Sequence, residues 1–158
     1  MGGALLKAWA ANTAHKFTVA DPAKPDLPEG VSQVDSVEQL GDQIFDYIIV
    51  ALKPQLIDQV LPGYLSRLSP DGVISSIAAG YSAEKLAGHA PGRSVIRIMP
   101  NLPALISKGV SGLYAHGEVP ETASREIEEL RRSGQRPRIC FRDAPRLCRG
   151  GTRTGLQR

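Results

Sequence analysis

Short runs of apolar residues alternate along the chain with segments in which apolar residues recur every three or four positions. The runs at residues 45–51, 73–77 and 94–99 are typical of strands that are covered on both faces of a sheet, and residues 47–51 predict a central strand. Residues 55–68 place leucine, valine and tyrosine at helical spacing. This alternation predicts an α/β fold with a doubly wound, mostly parallel sheet.

Weaker patterns extend the alternation to both sides of this region. Ser36 and Ser82 are candidate N-caps, because a serine hydroxyl can accept a hydrogen bond from the first turn of a helix. Pro70, Asp71 and Gly72 predict a turn. The further elements are helices at residues 1–10, 36–40, 82–87 and 120–132, and strands at residues 16–20 and 111–115.

Each of the three strongest strands ends in small or turn-forming residues. Lys53 and Pro54 follow the first strand, residues 78–80 follow the second, and Pro100 and Asn101 follow the third. Ligands of open parallel sheets bind in the crevice beyond the carboxyl ends of the strands. The pattern therefore predicts a flat cofactor that lies across these strand ends.

Length and composition favour one globular domain. The chain has 158 residues, and no apolar run approaches the roughly 20 residues of a membrane-spanning helix. The first residues lack the basic and apolar regions of an export signal, so we expect a cytoplasmic protein. Cys140 and Cys148 have no metal-binding or redox spacing and are expected to be reduced thiols.

The net charge of +3 is distributed unevenly. Residues 1–117 contain six lysines and three arginines against ten acidic residues, whereas residues 131–158 contain nine arginines and one acidic residue, Asp143. All the lysines precede Gly117. This change in composition predicts two regions, a folded one at residues 1–130 and an arginine-rich tail at residues 131–158.

Four motifs in a fixed order give the chain a resemblance to a known family. They are Met-Gly-Gly-Ala-Leu at residues 1–5, Val-Ala-Leu-Lys-Pro-Gln at 50–55, Ser-Ile-Ala-Ala-Gly at 76–80 and Arg-Ile-Met-Pro-Asn-Leu-Pro at 97–103. Together they resemble pyrroline-5-carboxylate reductase over roughly the first 130 residues. The resemblance implies that this region corresponds to most of the family's NAD(P)-binding domain of the Rossmann type.

The resemblance also implies a reaction and a set of cofactor contacts. The family reduces the C=N bond of 1-pyrroline-5-carboxylate to L-proline by hydride transfer from NADPH or NADH, and its members are homo-oligomers. Its substrate-orienting groups belong to an all-helical domain, so no residue of this chain is named catalytic. Met99 and Pro100 would flank the nicotinamide. The cofactor contacts that the resemblance implies are Gly2, Ala51, Leu52, Lys53, Pro54, Ala78, Ala79 and Asn101.

Asp21 is a further candidate, because it lies 19 positions after Gly2 at the end of a predicted strand. A carboxylate there can accept hydrogen bonds from the adenosine ribose and repels a 2′-phosphate. The alternative is a turn-forming Asp-Pro pair, and the choice between NAD and NADP stays open. Simpler roles also stay open for these residues. Lys53 could be a solvated turn residue, and residues 78–80 could be small because a helix packs tightly on a strand there. Asn101 could hydrogen-bond to its own loop.

Both ends of the chain differ from the family pattern. The family's first strand ends in Gly-x-Gly-x-Met-Gly, of which Met1 and Gly2 match the last two positions. We expect the chain to begin inside this motif, through truncation or a misassigned start codon, so that the first strand is lacking. The dimer-forming helical domain is expected to be absent as well.

The arginine-rich tail is expected to be disordered or the product of a shifted reading frame. The alternative is a basic arm that binds the phosphates of nucleic acid or membranes. The tail has one aromatic residue, Phe141, and no helical pattern, so neither nucleic-acid nor membrane binding is expected.

Two functions from different classes remain. The first is a reductase fragment whose activity alone is open, and the second is a non-catalytic nucleotide-binding or interaction module with a basic tail. A different reductase with a domain like that of 6-phosphogluconate dehydrogenase is disfavoured by the motifs at residues 53–55 and 99–101. His15, His89 and His116 are expected to be surface residues, since none has a catalytic partner nearby in sequence.

Overall fold

The computed structural model describes residues 2–100 and 111–133. Two short 3-10 helices, Val37–Leu40 and Leu65–Arg67, occur among them. The helices are α1 (Gly2–Asn12), α2 (Pro54–Tyr64), α3 (Ala83–His89) and α4 (Glu121–Ser133), and the strands are β1 (Thr18–Ala20), β2 (Ser32–Val34), β3 (Phe45–Val50), β4 (Leu68–Ser76), β5 (Ser94–Pro100) and β6 (Ser111–His116). The predicted alternation of strands and helices is confirmed.

The strands form two sheets. One has four strands in the order β3-β4-β5-β6, with β3, β4 and β5 parallel and β6 antiparallel to β5. The other consists of β1 and β2, which are also parallel. Parallel neighbours need a crossover, which α2 supplies between β3 and β4 and α3 between β4 and β5. The predicted doubly wound α/β class is therefore confirmed.

Helices cover both faces of the four-stranded sheet. Successive side chains of a strand point to opposite faces, and in β4 the side chains of Val73 and Ile74 belong to different apolar clusters. Ile74 packs in a cluster with Ile57 and other residues of α2 and α3. Val73 packs in a second cluster with Trp9 of α1 and Ile127 of α4. The uninterrupted apolar run in β4 is thus explained by burial on both sides.

The prediction that residues 47–51 form a central strand is wrong for this sheet. β3 is at its edge, and among the described residues it pairs only with β4. Tyr47, Ile48 and Ile49 are half-buried, whereas the corresponding part of β4 is fully buried. The apolar run indicates that helices cover both faces of the strand. Pairing at the edges of the strand involves only backbone groups, so it leaves no pattern in the side chains.

The predicted turn at Pro70, Asp71 and Gly72 lies inside β4. Leu68 pairs with Phe45 and Val73 pairs with Tyr47, so the extra residues of β4 form an irregularity in the ladder. A Cβ atom at Gly72 would lie 2.7 Å from Leu68 Cγ and 3.0 Å from the Ser69 carbonyl oxygen, so glycine allows this close approach. Pro70, Asp71 and Gly72 do bend the backbone, as predicted, but they distort the strand and do not end it.

The two candidate N-caps differ. The Ser82 hydroxyl accepts a hydrogen bond from the Lys85 N–H at 3.2 Å and so caps α3. Ser36 makes no such bond, and the element that follows it is a single turn of 3-10 helix. Within the described ranges, no helix has the length and apolar composition needed to cross a membrane.

Helix α4 is linked to β3 by one polar contact at the margin of the second cluster. The Tyr47 hydroxyl donates a hydrogen bond to Glu126 Oε2. Burial, together with Glu126, raises the pKa of Tyr47 far above its ordinary value, so the phenol stays protonated. The contact joins residues that are 79 positions apart and fixes how α4 lies on the sheet.

We expect Tyr47→Phe to lower the free energy of unfolding by about 1–2 kcal/mol, because the variant loses a hydrogen bond to a carboxylate. Urea unfolding followed by the fluorescence of Trp9 measures the change, since this tryptophan is buried in the same cluster. Tyr64→Phe is the matched control: Tyr64 is half-buried and no described residue hydrogen-bonds its hydroxyl. Equal losses in the two variants would show that the Glu126 contact contributes nothing.

Candidate functional site

The first turn of α1 lies against the ends of two strands. A Cβ atom at Gly2 would be 3.0 Å from Ala51 Cβ and 3.7 Å from Ile77 Cδ1. The first of these distances is shorter than an ordinary contact, so glycine allows the helix to begin this close to the sheet. The first amide groups of a helix have no acceptor within it, and here the first turn holds no acidic residue. The helix start therefore presents free N–H groups and positive potential to the edge of the sheet.

Three neighbouring parallel strands end at this same edge. Val50 of β3 is in register with Ser76 of β4, which in turn is in register with Arg97 of β5. The Val50 carbonyl also accepts a hydrogen bond from the Ile77 N–H at 3.1 Å, which joins the ends of β3 and β4. We call three pieces of chain the carboxyl edge: the segments that follow β3 and β4, at residues 51–54 and 77–80, and the last two residues of β5, at 99–100.

The segment after β3 is open to solvent. Ala51 and Lys53 are exposed, and Leu52 and Pro54 are half-buried. Lys53 has an extended backbone and immediately precedes α2, and Pro54 is the first residue of that helix, where its missing N–H is tolerated. In the described part of the chain, no carboxylate forms an ion pair with Lys53, so its ammonium group is available to an anion.

The segment after β4 is held by hydrogen bonds on both sides of one residue. The Ala78 N–H donates to Ser76 Oγ at 3.1 Å, and the Ala78 carbonyl accepts from Arg97 Nη2 at 3.0 Å. Ala78 itself is buried, whereas Ala79 and Gly80 are exposed. Gly80 has a φ of +75°, a conformation that favours glycine. The result is a fixed loop with only small residues on its outer side.

Arg97 is a residue of this edge whose contacts sequence reasoning did not predict. Besides the Ala78 carbonyl, its Nη2 lies 2.9 Å from Met99 Sδ, and its Nε is buried with no acceptor among the described residues. Met99 is 43% exposed, so the strand end is open beside the guanidinium group. A charged residue within an apolar strand is the signal that marks such a position, since a buried charge requires a polar partner.

Asp21 lies directly after β1, in the two-stranded sheet. Its Oδ1 accepts the Ala23 N–H at 2.9 Å, its own N–H donates to the Val34 carbonyl, and its carbonyl accepts from the Lys24 N–H. The turn-forming role that the sequence suggested is therefore present in the geometry. Oδ2 has no recorded partner among the described residues and leaves room for a second role.

The carboxyl edge brings together most of the predicted cofactor contacts. Gly2 touches Ala51, and the segments that contain Lys53 and Ala79 leave strands whose ends are in register. Asn101 lies outside the described residues, as do both cysteines and the tail beyond residue 133. Among the described residues, no cluster of histidine, cysteine and acidic side chains could hold a metal ion.

A polar cluster behind the carboxyl edge was also not predicted. The Tyr81 hydroxyl donates a hydrogen bond to Asp58 Oδ1. His89 Nε2 lies 2.8 Å from the Tyr81 hydroxyl oxygen and 2.9 Å from Asp58 Oδ1. The prediction that His89 is an isolated surface residue is therefore wrong: its side chain is 19% exposed and it meets a carboxylate 31 positions away, a distance at which sequence spacing gives no signal.

The cluster favours one arrangement of protons. Hydrogen bonds from Tyr81 and His89 lower the pKa of Asp58, while burial and the neighbouring Asp58 raise the pKa of Tyr81 to about 12. Asp58 is thus ionised and Tyr81 neutral over the whole physiological range. The other two histidines also have acidic neighbours, since His15 lies 3.6 Å from Glu129. The corresponding distance from His116 to Glu84 is 4.0 Å.

Comparison with known proteins gives a consistent result. No family model matches the chain. A pyrroline-5-carboxylate reductase from Pasteurella multocida is 34% identical over 125 residues, covering 74% of this chain and 46% of that protein. The reductase of the same name from Escherichia coli is 34% identical over 110 residues, covering 67% of this chain and 40% of that protein.

Solved structures resemble the fold over a longer stretch. A pyrroline carboxylate reductase from Plasmodium falciparum, solved with NADP bound, has a TM-score of 0.73 and 24% identity over 89% of this chain and 54% of that one. A 1-pyrroline-5-carboxylate reductase from Streptococcus pyogenes has a TM-score of 0.69 and 25% identity over 89% and 53% of the two chains.

The sequence matches and the fold matches point to the same proteins. The chain spans less than half the length of the curated relatives from Pasteurella multocida and Escherichia coli. Both kinds of comparison match most of the described part of this chain. By sequence and by fold, the chain belongs to the pyrroline-5-carboxylate reductase family.

Proposed function

We propose that the carboxyl edge binds NAD or NADP, and that in the whole protein this cofactor serves the reduction of 1-pyrroline-5-carboxylate to L-proline. The observation that supports this most directly is the close approach of Gly2 to Ala51, because it places the start of α1, with its free N–H groups, beside the strand ends. The Plasmodium falciparum relative has NADP bound, which agrees with the proposal.

The residues present fit a dinucleotide that lies along the strand ends. The free N–H groups at Gly2 and the following residues of α1 would bind the pyrophosphate. The ammonium group of Lys53 would add a cation beside it, since no described carboxylate neutralises that group. Ala51, Leu52 and Pro54 would form the surface over which the dinucleotide passes, because their side chains are small or turned partly into the protein.

The far end of the crevice would hold the nicotinamide. Ala78 and Ala79 give this part of the edge its small side chains, and the bonds from Ser76 and Arg97 hold it in place. Asn101 is proposed as a further contact. The bound cofactor supplies the hydride, while this chain's residues orient it and limit the access of water. No residue here is assigned a proton-transfer role.

The proposal includes both NAD and NADP. The Asp21 Oδ2 atom would accept a hydrogen bond from the adenosine ribose, which favours NAD. Its Oδ1 atom already accepts the Ala23 N–H, so the carboxylate has only part of its capacity left for a ligand. We further propose a cytoplasmic protein with 1-pyrroline-5-carboxylate as its small-molecule substrate.

The proposed function is tested with the chain itself in two steps. Titration with NADH and NADPH, followed by the cofactor's fluorescence, is expected to show saturable binding. Oxidation of the bound cofactor that depends on added 1-pyrroline-5-carboxylate would establish the reductase. Binding without oxidation would make this chain a nucleotide-binding module, and the absence of binding to either dinucleotide would contradict the proposal.

Ala79→Leu is expected to weaken dinucleotide binding by about tenfold or more, which corresponds to about 1.4 kcal/mol. Ala79 is exposed on the outer side of its loop, so a longer side chain there would enter the crevice without disturbing the core. The dissociation constant for NADH measures the effect. Ala11→Leu is the control, because Ala11 is also exposed but lies on α1. This variant should bind NADH as the unmodified chain does. Unchanged affinity in Ala79→Leu would place the cofactor elsewhere.

Arg97→Met should lower the affinity for NADH by about 5- to 10-fold, as expected for the loss of one hydrogen bond that supports the loop. The variant keeps the apolar stem but no longer binds the Ala78 carbonyl, so the loop loses part of its support. Arg97→Lys retains a donor and should recover part of the affinity. If both variants bind NADH as tightly as the unmodified chain, the Ala78 contact has no part in binding.

A further inference from the structure

Two aspartates follow neighbouring strand ends in the two-stranded sheet. Strands β1 and β2 are parallel, and Ala20 of β1 is in register with Val34 of β2. Asp21 and Asp35 are the next residues along the two strands, and the Asp21 N–H extends the pairing by donating to the Val34 carbonyl at 3.0 Å. The Asp35 N–H donates to Gln39 Oε1 at 2.9 Å, which fixes its backbone as well. Because the strands run in the same direction, both aspartates lie at one edge of this sheet.

The side chain of Lys24 joins these two strand ends. The Lys24 N–H donates to the Asp21 carbonyl at 3.2 Å, and its Nζ atom lies 3.0 Å from Asp35 Oδ2. Lys24 has a φ of 48°, and in the described part of the chain no other residue except glycine has a positive φ. Such a backbone is uncommon for lysine and persists where surrounding contacts fix it. We call residues 21–24 the β1 turn: its backbone bonds to Asp21, while its ammonium group pairs with Asp35.

The β1 turn lies on the same side of the molecule as the start of α1. This helix begins at the carboxyl edge and runs away from it, and β1 brings the chain back. Phe17, just before β1, packs against the apolar cluster that contains Trp9, in the second half of the helix. In the loop after the turn, Asp26 Oδ2 lies 3.9 Å from Nζ of Lys7, which is closer to the helix start. These contacts set the direction in which β1 returns.

A ribose and a ribose phosphate make different demands on this turn. A dinucleotide whose pyrophosphate lies at the start of α1 brings its adenosine ribose to the end of the next strand. Asp21 Oδ2 needs no other group to accept a hydrogen bond from the 2′-hydroxyl of NAD(H). A 2′-phosphate carries up to about two negative charges and needs a cation. The Lys24 ammonium group would have to leave Asp35 to bind it, and the phosphate would then face both aspartates.

We propose that Asp35 is a positioning residue that keeps the Lys24 ammonium group paired and so makes this chain prefer NAD(H) to NADP(H). The proposal rests on the proposed function, because the turn meets a ribose only if the pyrophosphate lies at the start of α1. The Lys24 and Asp35 side chains are 66% and 37% exposed, so a ligand can reach the pair. The preference is a difference between two affinities, since the pair opposes binding of the phosphate and leaves binding of the hydroxyl unaffected.

Fluorescence titrations of the full chain with NADH and NADPH test the proposal. The unmodified chain is expected to bind NADH more tightly. Asp35→Asn frees the Lys24 ammonium group and should raise the affinity for NADPH by about 2- to 5-fold, the range for one exposed ion pair, with little change for NADH. Asp35→Glu keeps a carboxylate and should keep the preference. A preference of the unmodified chain for NADPH, or an unchanged ratio of the two affinities in Asp35→Asn, would overturn the proposal.

Lys24→Met shows whether Asp35 acts through Lys24. This variant offers no ammonium group to the phosphate, so adding Asp35→Asn to it should bring a much smaller gain in NADPH affinity than the same substitution brings to the unmodified chain. The gain that remains measures the direct repulsion between the Asp35 carboxylate and the phosphate. Equal gains in the presence and absence of Lys24 would contradict the positioning role.

Asp42→Asn is the matched control for net charge. Asp42 also belongs to an ion pair, with Arg67 Nη1 at 3.8 Å, and follows the 3-10 helix Val37–Leu40. The substitution changes the net charge of the chain by the same amount as Asp35→Asn and should leave the ratio of NADPH to NADH affinity as it is. A gain in NADPH affinity as large as that of Asp35→Asn would show that net charge sets the preference, against the proposal.

AMP and adenosine 2′,5′-bisphosphate separate this proposal from the proposed function, because they carry the ribose end of each cofactor without the nicotinamide. Titration calorimetry with the two compounds should show the same dependence on Asp35. If it does so while NADH and NADPH do not bind, the proposed crevice is refuted and the role of Asp35 stands. If both dinucleotides bind and the variants do not change their ratio, the role of Asp35 is refuted and the proposed function stands. Failure of all four compounds to bind would refute both.

Discussion

The common register of three parallel strands is the constraint on which the rest of this structure depends. Val50, Ser76 and Arg97 lie side by side, so β3, β4 and β5 release their following segments at one edge. The bond from the Ile77 N–H to the Val50 carbonyl extends this alignment beyond the strands themselves. A slip of one residue would turn each side chain to the opposite face and expose both apolar clusters to water. The core therefore fixes the register, and the register assembles the site.

Sequence patterns predicted the layers of the fold well but its edges poorly. The alternation of β4 between the two clusters is a property of its side chains, so the apolar run at residues 73–77 was enough to place it. The edge position of β3 was not predicted, because hydrogen bonds to a neighbouring strand involve only backbone groups. The irregularity at Pro70 and Gly72 was predicted as a turn, since the same residue types serve in both structures.

The residues of the candidate site fall into two similar groups, those named from the sequence and those found only in the structure. Gly2, Ala51 and Ala79 belong to contiguous motifs and were named together as cofactor contacts by the family resemblance, and the structure places Gly2 against Ala51. The contacts of Arg97 and His89 were not predicted: Arg97 was marked only as a charge within an apolar strand, and His89 gave no signal in the sequence. Each contacts a partner on a different element, and only the fold reveals that both contacts bear on one loop. Local sequence thus named the residues that line the proposed crevice, whereas the contacts behind them became visible only in the fold.

These supports lie outside the crevice for a physical reason. A loop whose outer side carries only an alanine and a glycine cannot fix its conformation with side chains of its own. Its conformation has to come from neighbours, here Ser76 and Arg97 at Ala78 and the Asp58–His89 pair at Tyr81. Tyr81 follows Gly80 directly and is buried in the core, so the loop is anchored at that end. Small residues at the surface of a binding crevice therefore depend on larger polar residues behind them, and a change in those polar residues can alter binding without touching the ligand.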